Sequence, residues 1–301
     1  MYRGRFAPSP TGALHFGSLV AALCSWLDAR AHGGQWLVRI EDVDEPRCRP
    51  HWADEILRTL ARLGLEWDGP VLRQNARKEA YREALERLKG AGLAYPCACT
   101  RREAAGGRYP GRCRAGLPPG AAARSWRFLV DGGRVGFHDR WHGWYEQDVA
   151  SEAGDFILLR ADGCFSYQLA VVVDDAWQQV THVVRGADLL ESTPRQILLG
   201  QALGYERPAY LHHPVATAAD GRKLSKQNRA PALDPAQDAE NVRAALAFLG
   251  LDASQGEPPR ELLAWAVSAW GARWRAAASL KGGQPAAPFS SSPGPNDCRA
   301  R

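Results

Sequence analysis

Five residues near the start, Pro8-Ser9-Pro10-Thr11-Gly12, constrain this chain more than any other feature. Neither proline can donate to a strand ladder and the glycine breaks regular structure, so a strand over residues 2–7 must end and turn there. Residues 15–31 then carry Leu19, Leu23, Trp26 and Leu27 at helical spacing, and residues 35–40 return to strand character. Strand, turn, helix and strand make the opening unit of a parallel sheet flanked by helices. Apolar spacing predicts two more amphipathic helices, over 52–65 and 76–93.

The alternation breaks at residue 95. Residues 95–144 hold a cysteine group, a Gly/Pro/Arg-rich loop over 106–120 and short β-like pieces such as 126–130, the pattern of an inserted small subdomain. Strands are expected again at 156–159, 165–173 and 180–185, then a helix over 193–203 stopped by Gly204. Two further helices are expected at 239–251 and 259–279. The Gly/Pro/Ser-rich stretch beyond Lys281 reads as a disordered tail.

With 301 residues, 45% of them hydrophobic, the chain has enough apolar material for a sizeable core. A net charge of +5 permits a polyanionic partner without requiring one. The longest apolar runs fall far short of the ~20 residues a membrane span needs, and no basic-then-apolar leader is present, so a cytoplasmic protein with no membrane contact is expected. Seven cysteines are too sparse for a disulfide scaffold. Three of them, Cys97, Cys99 and Cys113, fall within 17 residues, a grouping that in a reducing compartment suggests a metal.

Two segments invite a nucleotide. His15-Phe-Gly17-Ser18 opens the first helix, where unpaired N–H groups and the positive dipole end suit a triphosphate, and Gly17 lets it approach the backbone. Far along, Asp220-Gly-Arg-Lys223-Leu-Ser225-Lys226-Gln227 puts three cations within five residues after a turn, placed to follow charge onto departing pyrophosphate. Taken singly, the first reads rather as a proline turn with a surface histidine and the second as a solvated basic loop.

Taken together, residues 8–18 and 223–227 resemble the HIGH and KMSKS motifs of class I aminoacyl-tRNA synthetases, in the right order and separation. The longer segments Arg5-Phe-Ala-Pro-Ser-Pro-Thr-Gly and Arg39-Ile-Glu-Asp-Val-Asp-Glu-Pro-Arg47 resemble the catalytic core of glutamyl-tRNA synthetases. The resemblance runs over roughly residues 3–250. Two positions depart from it: Ser18 stands where the HIGH motif has its second histidine, and the KMSKS counterpart reads Lys-Leu-Ser-Lys-Gln. It implies a Rossmann-like, doubly wound parallel sheet divided into 1–94 and 151–235, an inserted zinc-bearing subdomain at 95–150, a short helical region at 236–280 and the tail at 281–301.

It also implies roles. Arg5 and Arg185 supply cations for the carboxylates of glutamate, Ser9 and Tyr167 bond the amino acid, Glu41 meets its ammonium, and Phe6, Ala7 and Pro8 complete that wall. His15, Gly17, Ser18, Lys223, Ser225 and Lys226 hold ATP with its Mg²⁺, with His15 and Lys226 catalytic. From the residues alone, 39–45 could be a surface salt-bridge cluster and Tyr167 a core residue of its strand.

Discriminating glutamyl-tRNA synthetases continue for well over a hundred residues as an anticodon-binding region, whereas two or three helices and a tail follow Lys226 here. A body of this size has a radius of gyration of ~19 Å and cannot grip both ends of a tRNA. The short architecture resembles the queuosine-directed glutamyl-tRNA(Asp) synthetase family. That resemblance implies a monomer in which the tRNA(Asp) anticodon arm enters the site, and it nominates Tyr109 as a fourth zinc ligand beside Cys97, Cys99 and Cys113. Three reduced thiols without metal are the alternative there. For the whole chain the alternatives are charging the 3′ end of tRNA, or non-catalytic RNA binding.

Overall fold

The computed structural model describes residues 1–100, 102–104, 108–216, 231–253 and 259–279. The lysine segment with Lys223, Ser225 and Lys226, and the tail at 281–301, lie outside the described residues. Strand β1 (Arg3–Phe6) leads through the proline turn into α1 (Phe16–Ala31) and returns as β2 (Gln35–Ile40), parallel to β1 with Arg3 opposite Gln35. Helix α2 (Pro50–Arg62) crosses to β3 (Leu72–Arg73), which adds in parallel to β2. Helix α3 (Lys78–Gly90) follows.

The expected insertion divides in two. Strands β4 (Ala94–Cys97) and β5 (Ser125–Phe128) pair antiparallel and carry the cysteine loop between them. Strands β6 (Arg134–Asp139) and β7 (Gly143–Asp148) form a hairpin that instead extends the main sheet. A single turn of helix, α4 (Val149–Glu152), leads to β8 (Ile157–Leu159), which joins β5.

Residues 165–173, expected as a strand, are a correction. Phe165 makes one bridge to Leu159, and the chain then forms α5 (Tyr167–Trp177), with Ser166 accepting from the Leu169 N–H as its N-cap. A short buried run rich in valine satisfies strand and helix alike, and packing decides. Asp174 fixes the outcome: fully buried on α5, it accepts from Gln74 (3.0 Å) and Arg77 (2.6 Å) on the 3-10 turn before α3 and from Tyr81 (2.6 Å) on α3.

Strand β9 (His182–Gly186), helix α6 (Thr193–Ala202) and strand β10 (Ala209–His213) complete the second half, with β10 parallel to both β9 and β6. The halves meet where the Thr181 N–H donates to the Arg3 carbonyl at 2.9 Å, setting β9 beside β1. Side chains alternate across this layer, so Val184 and Leu211 enter one apolar core with α1 while Val183 and Tyr210 enter another with α5 and α6. A Rossmann-like, mostly parallel sheet covered on both faces is the result. Helices α7 (Asp238–Phe248) and α8 (Pro259–Ser279) pack on α1, where Trp270 donates to the buried Asp28 at 3.0 Å.

Candidate active site

Ligands in open α/β sheets bind beyond the carboxyl ends of the strands, and here those ends frame a cleft of about 1840 Å³, counting its open mouth. Arg5, Phe6, Ala7, Pro8 and Ser9 reach it from β1 and the proline turn, His15, Gly17 and Ser18 from the start of α1, Glu41 from the end of β2, Tyr167 from α5 and Arg185 from β9. Every expected glutamate and ATP residue among those described therefore lines one cavity.

His15 is the N-cap of α1. Its Nδ1 accepts from the Ser18 N–H at 3.4 Å, while Ser18 Oγ accepts from the His15 N–H at 2.7 Å. This reciprocal box orders the helix start and leaves His15, Gly17 and Ser18 along the cleft wall. Both flanks of the lysine segment also stand here: Val215 and Ala216 line the cleft, and the Leu233 N–H donates to the Leu14 carbonyl at 3.0 Å.

Of the arginines that line the cleft, Arg5 and Arg185 differ in their partners. Asp175 on α5 receives Arg5 through both Nε (3.0 Å) and Nη2 (3.2 Å), and also lies 2.7 Å from Arg39 Nη2. Burial works against ionisation of Asp175, but Arg39 and Arg5 outweigh it and hold the carboxyl down to about 2. Glu41, 3.4 Å from Arg39, is shifted upward because burial exceeds what the two arginines return. Arg185 is 6% exposed, and among the described residues its hydrogen-bond partners are His212, Tyr167 and Thr193, none of them a carboxylate. Burial pushes the Tyr167 hydroxyl up against the pull of Arg185. Burial likewise lowers His212 and His213 to about 4, so both rings are neutral at physiological pH.

Asp175, Arg39, Asp139 and His212 were not singled out as site residues from the sequence. Only Arg39 lies in a recognisable motif; the others are brought in by tertiary structure from positions without a local signal.

The cysteine group is a separate centre. The sulfurs of Cys97, Cys99 and Cys113 lie within 4.8 Å of one another, and Tyr109 Oη sits 3.3 Å from both Cys97 and Cys99. Cys99 and Cys113 are 3.7 Å apart, close to the ~3.8 Å edge of a tetrahedron with Zn–S bonds of ~2.3 Å. Arg127 donates from Nε to Cys97 at 3.3 Å and lies over the Tyr109 ring. Burial raises the Cys97 thiol, but bonds from Tyr109 and Arg127 outweigh it and bring it to about 7. Three thiols and a phenol oxygen converging on one point fit a soft, tetrahedral divalent ion.

Residues 1–112 and 126–251 match the family model of class I tRNA synthetases (E and Q), catalytic domain. A "Glutamyl-Q tRNA(Asp) synthetase" of Dechloromonas aromatica is 57% identical over 286 residues, covering 89% of this chain and 94% of that protein. A protein of the same name from Aromatoleum aromaticum is 56% identical, covering 89% of each. Among solved structures, a glutamate tRNA ligase from Elizabethkingia meningosepticum, in complex with its amino acid, superposes with a TM-score of 0.67 at 29% identity. That match covers 75% of this chain and 52% of the ligase, so the chain spans about half of that solved protein. The methionyl-tRNA synthetase of Mycobacterium tuberculosis, at 14% identity and a TM-score of 0.55, shares the fold. Among the described residues, no helix is long and apolar enough to cross a membrane.

Proposed function

The chain belongs to the class I tRNA synthetases of the glutamate and glutamine type, and from that premise we propose that it activates glutamate with ATP and passes the glutamyl group to queuosine in the anticodon of tRNA(Asp). The observation that carries the amino-acid half is Arg185, a buried guanidinium with no carboxylate among its described partners, facing the same cleft as Glu41 and the phosphate-ready start of α1. A buried cation without a counter-ion favours an anionic ligand, and a guanidinium fork matches a carboxylate. Glu41, whose burial disfavours its charge despite Arg39 at 3.4 Å, gains a further cationic partner when a substrate ammonium docks.

In the first step the α-carboxylate of glutamate attacks the α-phosphorus of ATP, forming the mixed anhydride and releasing pyrophosphate. His15 and the N–H groups opening α1 hold phosphate oxygens, and Mg²⁺ accompanies the nucleotide as its counter-ion; Lys223, Ser225 and Lys226, which lie outside the described residues, keep the ATP-binding role that the motif resemblance assigns them. In the second step an acceptor hydroxyl attacks the anhydride carbonyl and AMP leaves. The queuosine acceptor and the tRNA(Asp) anticodon arm are supported by the two relatives above 55% identity, each named for that transfer and matched over nearly its whole length. Cys97, Cys99, Cys113 and Tyr109 would hold zinc, which when bound cross-links the loop between β4 and β5. Arg127 balances the charge of those ligands.

Charging of the tRNA 3′ end is the second reading, favoured by the likeness to the glutamate tRNA ligase. Labelled glutamate, ATP and tRNA(Asp) carrying queuosine, followed by nuclease mapping, separate the two. Label on the anticodon fragment is expected, and label on the terminal adenosine overturns the queuosine assignment. Glutamate-dependent ATP–pyrophosphate exchange is expected without tRNA, and its absence from metal-loaded protein favours a non-catalytic binder.

A further inference from the structure

Arg185 is held from behind by two residues that do not line the cleft. His212, on β10, and Asp139, at the end of β6, are both fully buried. Asp139 Oδ2 lies 2.7 Å from His212 Nδ1, and Asp139 Oδ1 also accepts from the N–H groups of Trp141 and His142 at 2.9 Å. On the far side of the ring, Arg185 Nε donates to His212 Nε2 at 3.0 Å, with Thr193 Oγ1 3.1 Å from the same nitrogen.

These partners leave the imidazole one state. An ionised carboxylate only accepts, so the proton sits on Nδ1; a guanidinium only donates, so Nε2 presents its lone pair. The ring is thus a neutral spacer that passes the influence of Asp139 to Arg185 without letting a carboxylate touch the fork. Arg5 shows the alternative, its fork closed by both oxygens of Asp175. With Nε engaged by His212, and Nη2 by Thr193 at 2.8 Å, the guanidinium plane is fixed and Nη1 points toward Tyr167 at 3.2 Å.

We propose that Asp139 and His212 are positioning residues for amino-acid recognition: they orient Arg185 and supply its charge compensation at second hand, leaving the second N–H of each of Nη1 and Nη2 for a carboxylate. The inference rests on the reading that Arg185 takes a carboxylate of glutamate. It requires that loss of the Nε2 acceptor weaken glutamate and spare ATP.

Steady-state ATP–pyrophosphate exchange on the full chain tests this. His212→Leu removes the acceptor, and a rise of ~10- to 100-fold in KM for glutamate is expected, with KM for ATP within about twofold. His212→Gln places an amide oxygen near the position of Nε2 and is expected to recover most of the loss. An unchanged glutamate KM in His212→Leu, or equal rises for glutamate and ATP, overturns the proposal while leaving the activity reading intact. If His212→Leu does not fold, glutamate affinity of Asp139→Asn measured by calorimetry decides: weakening supports the positioning role and wild-type affinity refutes it. Absence of exchange in the wild-type protein removes the activity reading and this inference together.

Discussion

Around the sheet, apolar side chains fill both faces, and cleft residues project from strand and helix ends anchored in those two cores. Around the cysteine loop the buried apolar cluster consists, among the described residues, of Tyr95, Cys97, Tyr109 and Cys113, with a few partly buried neighbours. Polar anchoring makes up the difference: buried Asp155 receives Arg114 through Nε (2.6 Å) and Nη2 (2.7 Å), the Val130 N–H at 2.9 Å and the Tyr95 hydroxyl. One region places its chemistry by burial, and the other by charge, hydrogen bonds and ligand atoms. A loop too small for its own core can still be ordered if one buried carboxylate ties its ends to the sheet.

The strongest test of this contrast is Trp36→Ala. Trp36 is fully buried on β2 and donates to Ser25 at 2.9 Å, so its removal should cost ~3–5 kcal/mol and lower the urea midpoint of the whole protein. An effect confined to nearby amides in hydrogen exchange would mean that the sheet core does not govern global stability.

Asp155→Ala comes next, at ~2–3 kcal/mol, because it strands the Tyr95 hydroxyl and the Val130 N–H while Arg114 retains partial solvent contact. Hydrogen exchange should quicken across residues 94–130, metal should leave faster to a chelator, and glutamate-dependent exchange should stay within about threefold. Equal loss of protection in α1 and β2 would merge the two regions into one cooperative unit.

The smallest effect is graded. His212 and His213 have folded values near 4 against 6.5 for a free imidazole, so between those limits the unfolded chain binds more protons. Their contribution is fully present above pH ~6.5 and diminishes as pH falls toward 4, by at most ~1.4 kcal/mol per pH unit for each ring. Urea midpoints across that range, compared with those of His212→Gln, measure it. A slope unaffected by the substitution would remove His212 from the balance.

How far the sequence foretells these features depends on range. Proline, glycine and helical spacing are local, and they place β1, α1 and β2 within a residue or two. The cleft residues of β1 and α1 were legible because the turn and the helix start are themselves local devices. The run at 165–173 was misread because its apolar residues carry no period that separates a strand from a buried helix, and the deciding group, Asp174, acts through Gln74, Arg77 and Tyr81. Asp175 and Arg5 are 170 residues apart, and Asp139 and His212 are 73 apart. Neither pairing leaves a mark on the residues flanking it.

The seam at which Thr181 meets Arg3 also bears on biosynthesis. Chains grow from the amino end, so β1 leaves the ribosome before β9 and lacks that neighbour until some 180 further residues have been made. Until then Arg3 and its strand present a bare sheet edge in the middle of the future domain. The interval between those two events is when a nascent chain of this design is most exposed to wrong partners, and when a chaperone would matter most.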